Sequence, residues 1–109
     1  MTYEESHTAA LAALADPTRR RVLEMLADGP MPVQSLASRL PVSRPAVSQH
    51  LKVLNDAGLV SVRTDGTRRI YSVRPAGLAP LRAYLDRFWG DVLTHFAAEI
   101  EQGNEVKND

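Results

Sequence analysis

Cysteine is absent from the sequence, so a disulfide framework, a thiolate metal site and a cysteine nucleophile are all excluded. Long apolar runs are also absent, since none approaches the roughly 18–20 residues that a membrane-spanning helix needs. The first ten residues carry acids where a secretory signal would carry basic residues, and no apolar core follows them. These absences predict a soluble, cytoplasmic protein with no membrane partner.

The chain also lacks a net charge, because its 13 Lys and Arg residues balance its 13 Asp and Glu residues. The balance hides a segregation along the chain. Residues 17–74 hold ten basic and four acidic side chains, whereas residues 1–16 and 75–109 each carry a net charge of −3. Salt screens charges beyond about 8–10 Å, so a polyanion responds to the local field and not to the total. The basic middle of the chain is therefore compatible with a nucleic-acid partner.

The length of 109 residues suits one compact domain, and a hydrophobic content of 44% is typical of globular proteins. We therefore expect a single domain over residues 1–109. Two helices are predicted at its start. The first covers residues 4–15 and is rich in alanine. The second begins at Pro17, after the N-capping Asp16, and ends before Gly29.

Residues 33–57 have the pattern of a helix-turn-helix. Apolar residues recur at helical spacing over residues 33–40, and a Pro-Val break follows. Ser43 is then placed to cap a further helix over residues 44–57. Two short helices joined by a tight three-residue break are typical of this motif.

Residues 59–73 predict a β-hairpin, here called the wing. Residues 59–64 alternate apolar and polar side chains, a turn at Asp65 and Gly66 follows, and residues 67–73 form the second strand. A helix-turn-helix followed directly by a hairpin is a winged helix. The predicted fold is mainly α with a β-hairpin wing, a winged helix-turn-helix with the element order α-α-α-α-β-β-α.

One long helix is predicted over residues 76–102, followed by a polar, frayed tail at residues 103–109. Its apolar residues step by three and four along one side, a stripe longer than a small domain needs at its terminus. We expect this stripe and two leucines of the first helix to form a homodimer interface. The candidate interface residues are Leu11, Leu14, Leu78, Leu81, Leu85, Phe88, Val92 and Phe96.

The fourth predicted helix has an exposed face that is polar but nearly uncharged, with Gln49 at its centre, opposite Val47, Leu51 and Leu54. Glutamine can bond an adenine edge with two hydrogen bonds, and small apolar groups can meet a thymine methyl group. The alternative is an ordinary solvated face, but this face lacks the Glu and Lys pairs that usually crowd one. The candidate DNA-binding residues are Ser43, Arg44, Pro45, Ala46, Ser48, Gln49 and Lys52 on this helix and Arg63, Thr67, Arg68 and Arg69 on the wing.

Arginines cluster at the tip of the predicted wing, where Arg63, Arg68 and Arg69 bracket the turn. Such a cluster suits phosphates or a narrow minor groove. Charge on an exposed hairpin edge also prevents pairing with other chains. Three more arginines, at residues 19–21, begin the second helix, where cations oppose the helix dipole. These three arginines have two possible roles, which are contacts with DNA phosphates and salt bridges to the acidic helices.

The sequence resembles the ArsR-type (arsenic repressor-like) winged-helix transcriptional regulators in three runs, LADPTRRRVLEMLADGP, LPVSRPAVSQHLKVLNDAGLV and RTDGTRRIYSV. The resemblance covers residues 9–100 and is nearest to the branch of small repressors similar to the SdpR autorepressor. It implies a homodimer built from the first and last helices, with residues 43–57 as the recognition helix on double-stranded DNA. The implied activity is repression by occluding a promoter, often the protein's own.

Many members of that family release DNA when they bind a metal ion. The cysteine version of such a site is excluded here. The last predicted helix holds Asp91, His95 and Glu99 on one face, but the family's ligand pattern is absent, so we expect surface ion pairs and no metal or other cofactor. His50 lies at the edge of the buried face of the recognition helix, and the resemblance implies a structural or interdomain hydrogen-bonding role for it, not a role as a ligand.

We therefore expect a sequence-specific DNA-binding transcriptional regulator, a dimeric repressor that binds an inverted-repeat operator. One alternative is a metal- or small-molecule-responsive member of the same fold that senses through the last helix. Another is a protein-interaction module, which would not need an amide-centred face or an arginine-tipped wing. An enzyme is not expected, since the sequence places no phosphate-cradling Gly loop, Ser/His/Asp arrangement or pair of buried carboxylates.

Overall fold

The computed structural model describes residues 2–107, with side chains for all of these except residues 3 and 103–107. The elements in this range are α1 (Tyr3–Leu14), α2 (Pro17–Ala27), β1 (Met31–Pro32), α3 (Val33–Ala37), α4 (Arg44–Asp56), β2 (Val60–Asp65), β3 (Arg68–Val73) and α5 (Pro75–Lys107). The strands form one antiparallel sheet in the order β1-β3-β2. The predicted winged helix-turn-helix is confirmed. None of the helices in the described range is long and apolar enough to cross a membrane.

The core lies where α2, α3 and α4 meet the sheet. Leu36, Leu51 and Leu54 are fully buried there, beside Val22 of α2. Burial of one such side chain contributes about 1.5–3 kcal/mol to the free energy of unfolding. This cluster therefore holds the two helices of the helix-turn-helix against the sheet. The N-terminal helix α1 joins the core through small alanines and packs against α5.

Two helices begin at the residues that the sequence predicts as their caps. A carboxylate oxygen of Asp16 accepts hydrogen bonds from the N–H groups of Thr18 and Arg19, at 2.8 and 3.0 Å. The hydroxyl of Ser43 accepts one from the N–H of Ala46 at 3.3 Å. The first N–H groups of a helix have no helical partner, so these side chains fix where α2 and α4 start.

The cap of α2 is sensitive to acid. The hydrogen bond from the N–H of Arg19 is the largest cause of a lowered pKa at Asp16. Desolvation opposes the shift, while the N–H of Thr18 and the positive charges of His50 and Arg19 add to it. Because the folded-state pKa lies below the ordinary value, the cap stabilises the fold above that ordinary value. Its contribution is lost as the pH falls through the lowered pKa.

Two of the three arginines at the start of α2 close the C-terminal end of α1. Nε of Arg19 donates to the carbonyl oxygen of Ala13 at 2.6 Å, and Nη1 of Arg20 donates to that of Leu14 at 2.7 Å. The last carbonyls of a helix lack helical partners and carry partial negative charge, which a guanidinium compensates. The sequence left the role of these arginines open. In the structure, Arg19 and Arg20 of α2 hydrogen-bond to the end of α1 and so hold the two helices together.

Two elements of the helix-turn-helix region differ from the prediction. The third helix ends at Ala37 and not at residue 40, because the hydroxyl of Ser38 donates to the carbonyl of Ser35 at 2.9 Å and the chain leaves the helix. The sequence also missed β1. Its two residues pair with β3, with Met31 opposite Tyr71. A strand of two residues is too short to show the alternation of apolar and polar side chains that indicates a strand.

The turn of the wing lies one residue later than predicted. Asp65 pairs with Arg68, so that Gly66 and Thr67 form the turn. Gly66 has a φ of +64°, whereas no non-glycine residue in the described range has a positive φ. A type II′ turn has a glycine with positive φ at its first central position and a residue with negative φ at its second. Its backbone twist matches the twist of the two strands. A turn at Asp65 and Gly66 would have required an aspartate with positive φ.

The last helix is longer than predicted, since α5 continues past residue 102 to Lys107. Its sequence contains no proline after Pro80, and a single glycine costs a helix only about 1 kcal/mol. The predicted frayed tail is therefore wrong for residues 103–107, while residues 108 and 109 lie outside the described range.

A contact between two glycines fixes how α5 approaches the end of α4. Gly58 ends α4 with a φ of +77°. A β-carbon added at Gly77 of α5 would overlap the carbonyl oxygen of Gly58 and lie 2.6 Å from its carbonyl carbon. Both clashes involve backbone, which cannot rotate away. The direction in which α5 leaves the body thus depends on glycine at position 77.

We predict that Gly77→Ala lowers the free energy of unfolding by about 1–3 kcal/mol, the usual result of forcing an extra carbon into a closed contact. Gly90→Ala is the matched control, because it makes the same change in the same helix where an added β-carbon meets nothing within 4 Å. It should raise the free energy of unfolding by up to about 1 kcal/mol. Urea unfolding at one protein concentration measures both, and equal effects would contradict the assigned contact.

Candidate nucleic-acid interface

A cleft of about 600 Å³ lies between α4 and the wing, and residues 32–34 at the start of α3 form part of its wall. It brings together side chains from elements that are well separated in the sequence. Seven of the eleven predicted DNA-binding residues line it. They are Arg44, Ser48, Gln49, Lys52, Thr67, Arg68 and Arg69.

Burial of one face of α4 sets the direction of the other. Val47, Leu51 and Leu54 are fully buried, as the sequence predicts. Residues on the opposite side of a helix must then face solvent, and Ser48 and Gln49 are exposed in the cleft. The amide of Gln49 is therefore presented outward by a helix that the core prevents from rotating.

The wing contributes arginine side chains that the sheet positions. The guanidinium carbon of Arg69 lies 5.9 Å from the centre of the Tyr71 ring, within the range of a cation–π interaction. Tyr71 is buried and paired with Met31 on one side and Val62 on the other. Arg69 thus rests on a side chain that is itself fixed in the core.

Four predicted DNA-binding residues do not line the cleft. Arg63 is paired with Ile70, so the alternation of a strand places it on the sheet face opposite to Tyr71 and Arg69. Ser43, whose hydroxyl caps α4, lies outside the lining, as do the exposed Pro45 and the half-buried Ala46. The sequence could not separate these residues from the others, because the side on which the wing approaches α4 is a tertiary feature.

Six residues of the lining were not predicted, namely Pro32, Val33, Gln34, Asn55, Asp56 and Tyr71. The sequence analysis gave α3 a packing role only, and it ended the reading face of α4 at Lys52. An exposed amide at Gln34, off the apolar face of a short helix, is the signal that could have indicated the first group. Nothing local in the sequence indicates Tyr71, which reaches the cleft through the sheet.

The cleft carries a positive charge. Arg44, Lys52, Arg68 and Arg69 line it, and the one carboxylate among its lining residues belongs to Asp56. Lys52 and Asp56 form an ion pair of 3.1 Å between Nζ and Oδ2, and both side chains are well exposed. Exposed pairs of this kind contribute little to stability, so an arriving anion can replace the carboxylate. The arrangement suits a polyanion with a hydrogen-bonding edge.

The predicted interface residues divide into two groups. Leu81 is buried, and Leu14 and Leu78 pack partly buried against the core of their own chain. The other five are exposed, namely Leu11, Leu85, Phe88, Val92 and Phe96. Trp89 and Leu93, which are also large and exposed, extend this group along the second half of α5. An uncovered apolar face therefore runs along α5 from Leu85 to Phe96.

The structure does not gather the candidate metal ligands of the last helix. Asp91, His95 and Glu99 are exposed, and a helix separates the first from the third by about 12 Å along its axis. Within the described range no three His, Asp or Glu side chains are grouped to hold a metal ion. His50 lies close enough to Asp16 for its charge to act on that carboxylate, which fits the structural role expected of it.

Comparison with known proteins covers both sequence and fold. The model of the family described as bacterial regulatory protein, arsR family, matches residues 16–62. The HTH-type transcriptional regulator Rv2034 of Mycobacterium tuberculosis is 56% identical over 101 residues, which are 93% of this chain and 94% of that protein. The transcriptional repressor SdpR of Bacillus subtilis is 36% identical over 61 residues, 56% of this chain and 68% of its own.

A solved structure supports the same assignment. The homodimeric winged helix-turn-helix DNA-binding domain of a Mycobacterium bovis protein, determined by NMR in solution, superposes with a TM-score of 0.64. It shares 29% sequence identity, and the match covers 83% of each chain. Three findings agree, namely the fold, the family match over the helix-turn-helix and the relative that is similar along nearly its whole length. The chain is a winged helix-turn-helix transcriptional regulator that belongs to the arsR family.

Proposed function

We propose that this protein represses transcription as a homodimer, with α4 of each protomer in the major groove of an inverted-repeat operator. One observation carries the proposal. The cleft is lined both by Ser48 and Gln49, on an uncharged, amide-centred face of α4, and by arginines of the wing. Sequence reading and phosphate binding need different chemistry, and the cleft supplies both. We also infer that the protein acts in the cytoplasm and by binding, without catalysis.

The reading face on α4 fits base edges better than phosphates. Gln49 and Ser48 can each donate and accept hydrogen bonds, which matches the mixed donors and acceptors in the major groove. Arg44 stands in the first turn of α4, where a guanidinium can reach a guanine or a phosphate. In the proposed complex the arginines of the wing, Arg68 and Arg69, which line the same cleft, hold the sugar-phosphate backbone beside that groove.

The exposed half of α5 supports the dimer. Phe88, Trp89 and Phe96 are each about half exposed, and together they form part of an exposed apolar patch of the kind that marks an interaction surface. A second copy of the chain would cover them, as befits a relative of a homodimeric DNA-binding domain. A twofold dimer that reads successive grooves on one face of DNA must hold its two α4 helices about 34–36 Å apart. Its operator must then be an inverted repeat.

Repression follows from where such a dimer would lie. A protein that occupies an inverted repeat within a promoter excludes the polymerase, and the similarity to a protein named a transcriptional repressor favours this outcome over activation. Occlusion of this kind requires only a DNA-binding surface and a dimer. We extend the proposal to the promoter of the protein's own coding region.

Selection from a library of random duplexes tests the proposal directly. The duplexes enriched by the wild-type protein should contain an inverted repeat with half-sites one helical turn apart. Footprinting of DNA upstream of the protein's own coding region then tests for autorepression. Enrichment of no sequence, or of a single unrepeated half-site, would refute the proposed mode of binding.

We predict that Gln49→Ala weakens binding to the selected duplex by about 1–3 kcal/mol and relaxes the preference at one base position per half-site. The matched control is Gln34→Ala, which removes the same amide from the same cleft but from α3. That variant should weaken every duplex by a similar factor, because we expect Gln34 to contact the backbone. Competition binding against single-base variants of the duplex measures both effects. Equal loss on all sequences for Gln49→Ala would exclude a reading role.

We predict that Arg69→Ala flattens the dependence of log K on log salt by about 0.9 for each phosphate contact that is lost. The matched control is Arg63→Ala, since Arg63 carries the same group on the opposite face of the same hairpin. It should leave the slope unchanged. Titrations of DNA binding at several salt concentrations measure the slope for both variants. Identical slopes would show that Arg69 does not contact DNA phosphates.

A further inference from the structure

Tyr71 differs from the other residues that line the cleft, because it is the one buried side chain among those that the structure describes there. Only 7% of its surface is exposed. On the sheet it pairs with Met31 of β1 on one side and with Val62 of β2 on the other. The guanidinium carbon of Arg69 lies 5.9 Å from the centre of its ring. The sheet and Arg69 together therefore fix the ring in place.

The hydroxyl of Tyr71 has no partner that the fold supplies. It forms no hydrogen bond with any group in the described part of the chain, and it is not among the polar atoms that the protein closes off from solvent. A tyrosine as buried as this one usually has a hydrogen-bond partner for its hydroxyl. Water in the cleft can supply that partner in the free protein, and a ligand seated in the cleft can replace the water.

We propose that the hydroxyl of Tyr71 donates a hydrogen bond to a phosphate oxygen of the DNA strand that passes between α4 and the wing. The inference rests on the proposed function, since it requires that the cleft binds DNA. When α4 lies in the major groove, the sugar-phosphate backbone that borders this groove runs between α4 and the wing. Tyrosine hydroxyls are among the usual donors to phosphate oxygens in protein–DNA complexes.

The surroundings of Tyr71 favour a phosphate over a base edge. Lys52 of α4 and Arg69 of the wing line the same cleft, and both attract an anion. A base edge lies inside the groove, where the exposed side chains of α4 reach it, whereas Tyr71 belongs to the sheet. Because the ring of Tyr71 is already fixed, its hydrogen bond to DNA costs little side-chain entropy.

We predict that Tyr71→Phe, which removes the hydroxyl and keeps the ring under Arg69, weakens DNA binding. Affinity for a duplex that the wild-type protein selects from a random library should fall about three- to tenfold per protomer, a usual contribution of one hydrogen bond. The factor should be the same for every single-base variant of that duplex, because a phosphate carries no sequence information. The slope of log K against log salt should not change, since a hydroxyl brings no cation to the DNA and releases no counterion.

A methylphosphonate scan identifies the phosphate. Each duplex of the scan has the selected sequence, with one phosphate of a half-site replaced by a neutral methylphosphonate that lacks one acceptor oxygen. At one position of the scan the wild-type protein should lose about three- to tenfold more affinity than Tyr71→Phe loses. At every other position the two proteins should lose the same factor.

Tyr84→Phe is the matched control. Tyr84 lies on α5 and does not line the cleft, and its ring stacks on His7 with 4.3 Å between the ring centres. The substitution removes the same single oxygen, so this variant should bind every duplex as the wild-type protein does. Thermal unfolding of both variants checks that the fold is retained.

Each other outcome overturns the inference. Unchanged affinity for Tyr71→Phe shows that the hydroxyl contacts only water, and equal losses along the whole scan exclude a phosphate as its partner. A loss confined to one base position makes the hydroxyl a base-reading group. A flatter salt slope makes Tyr71 a positioning residue that acts through Arg69. A wild-type protein that does not prefer its selected duplex to a scrambled one refutes the proposed function as well, which distinguishes the two failures.

Discussion

The burial of one face of α4 is the constraint on which the binding surface depends. Val47, Leu51 and Leu54 are fully buried, and at about 1.5–3 kcal/mol each they prevent rotation of the helix about its axis. A helix held in this way must present Gln49 and Ser48 to solvent, because they lie on the opposite side. The residues that stabilise the protein and the residues that we propose to read DNA are therefore placed by the same interactions.

The terminal helices contact this body through backbone groups as well as through the buried side chains of Ala10, Ala13 and Leu81. Arg19 and Arg20 bind the last carbonyls of α1, and Gly77 lets α5 touch the carbonyl of Gly58 at the end of α4. In a dimer built on α5, the direction of that helix determines how far apart the two α4 helices lie. A contact between two glycines thus bears on the spacing of the half-sites that the dimer can read.

The distribution of charge explains how a chain with no net charge can bind a polyanion. Four cations, Arg44, Lys52, Arg68 and Arg69, line the cleft, while residues 1–16 and 75–109 each carry a net charge of −3. Asp56 is the exception, because its carboxylate lies among those cations.

The sequence by itself determined the order of the five helices and the hairpin, the caps at Asp16 and Ser43 and the outward direction of Gln49, because each depends on residues less than about two helical turns apart. The tertiary structure decided the rest. It placed Arg63 on the far side of the wing, brought Gln34 and Asp56 into the cleft, and added the short strand β1. These features depend on how separate elements approach one another, and that approach is set by packing over long sequence distances, which leaves no periodic signal in the chain.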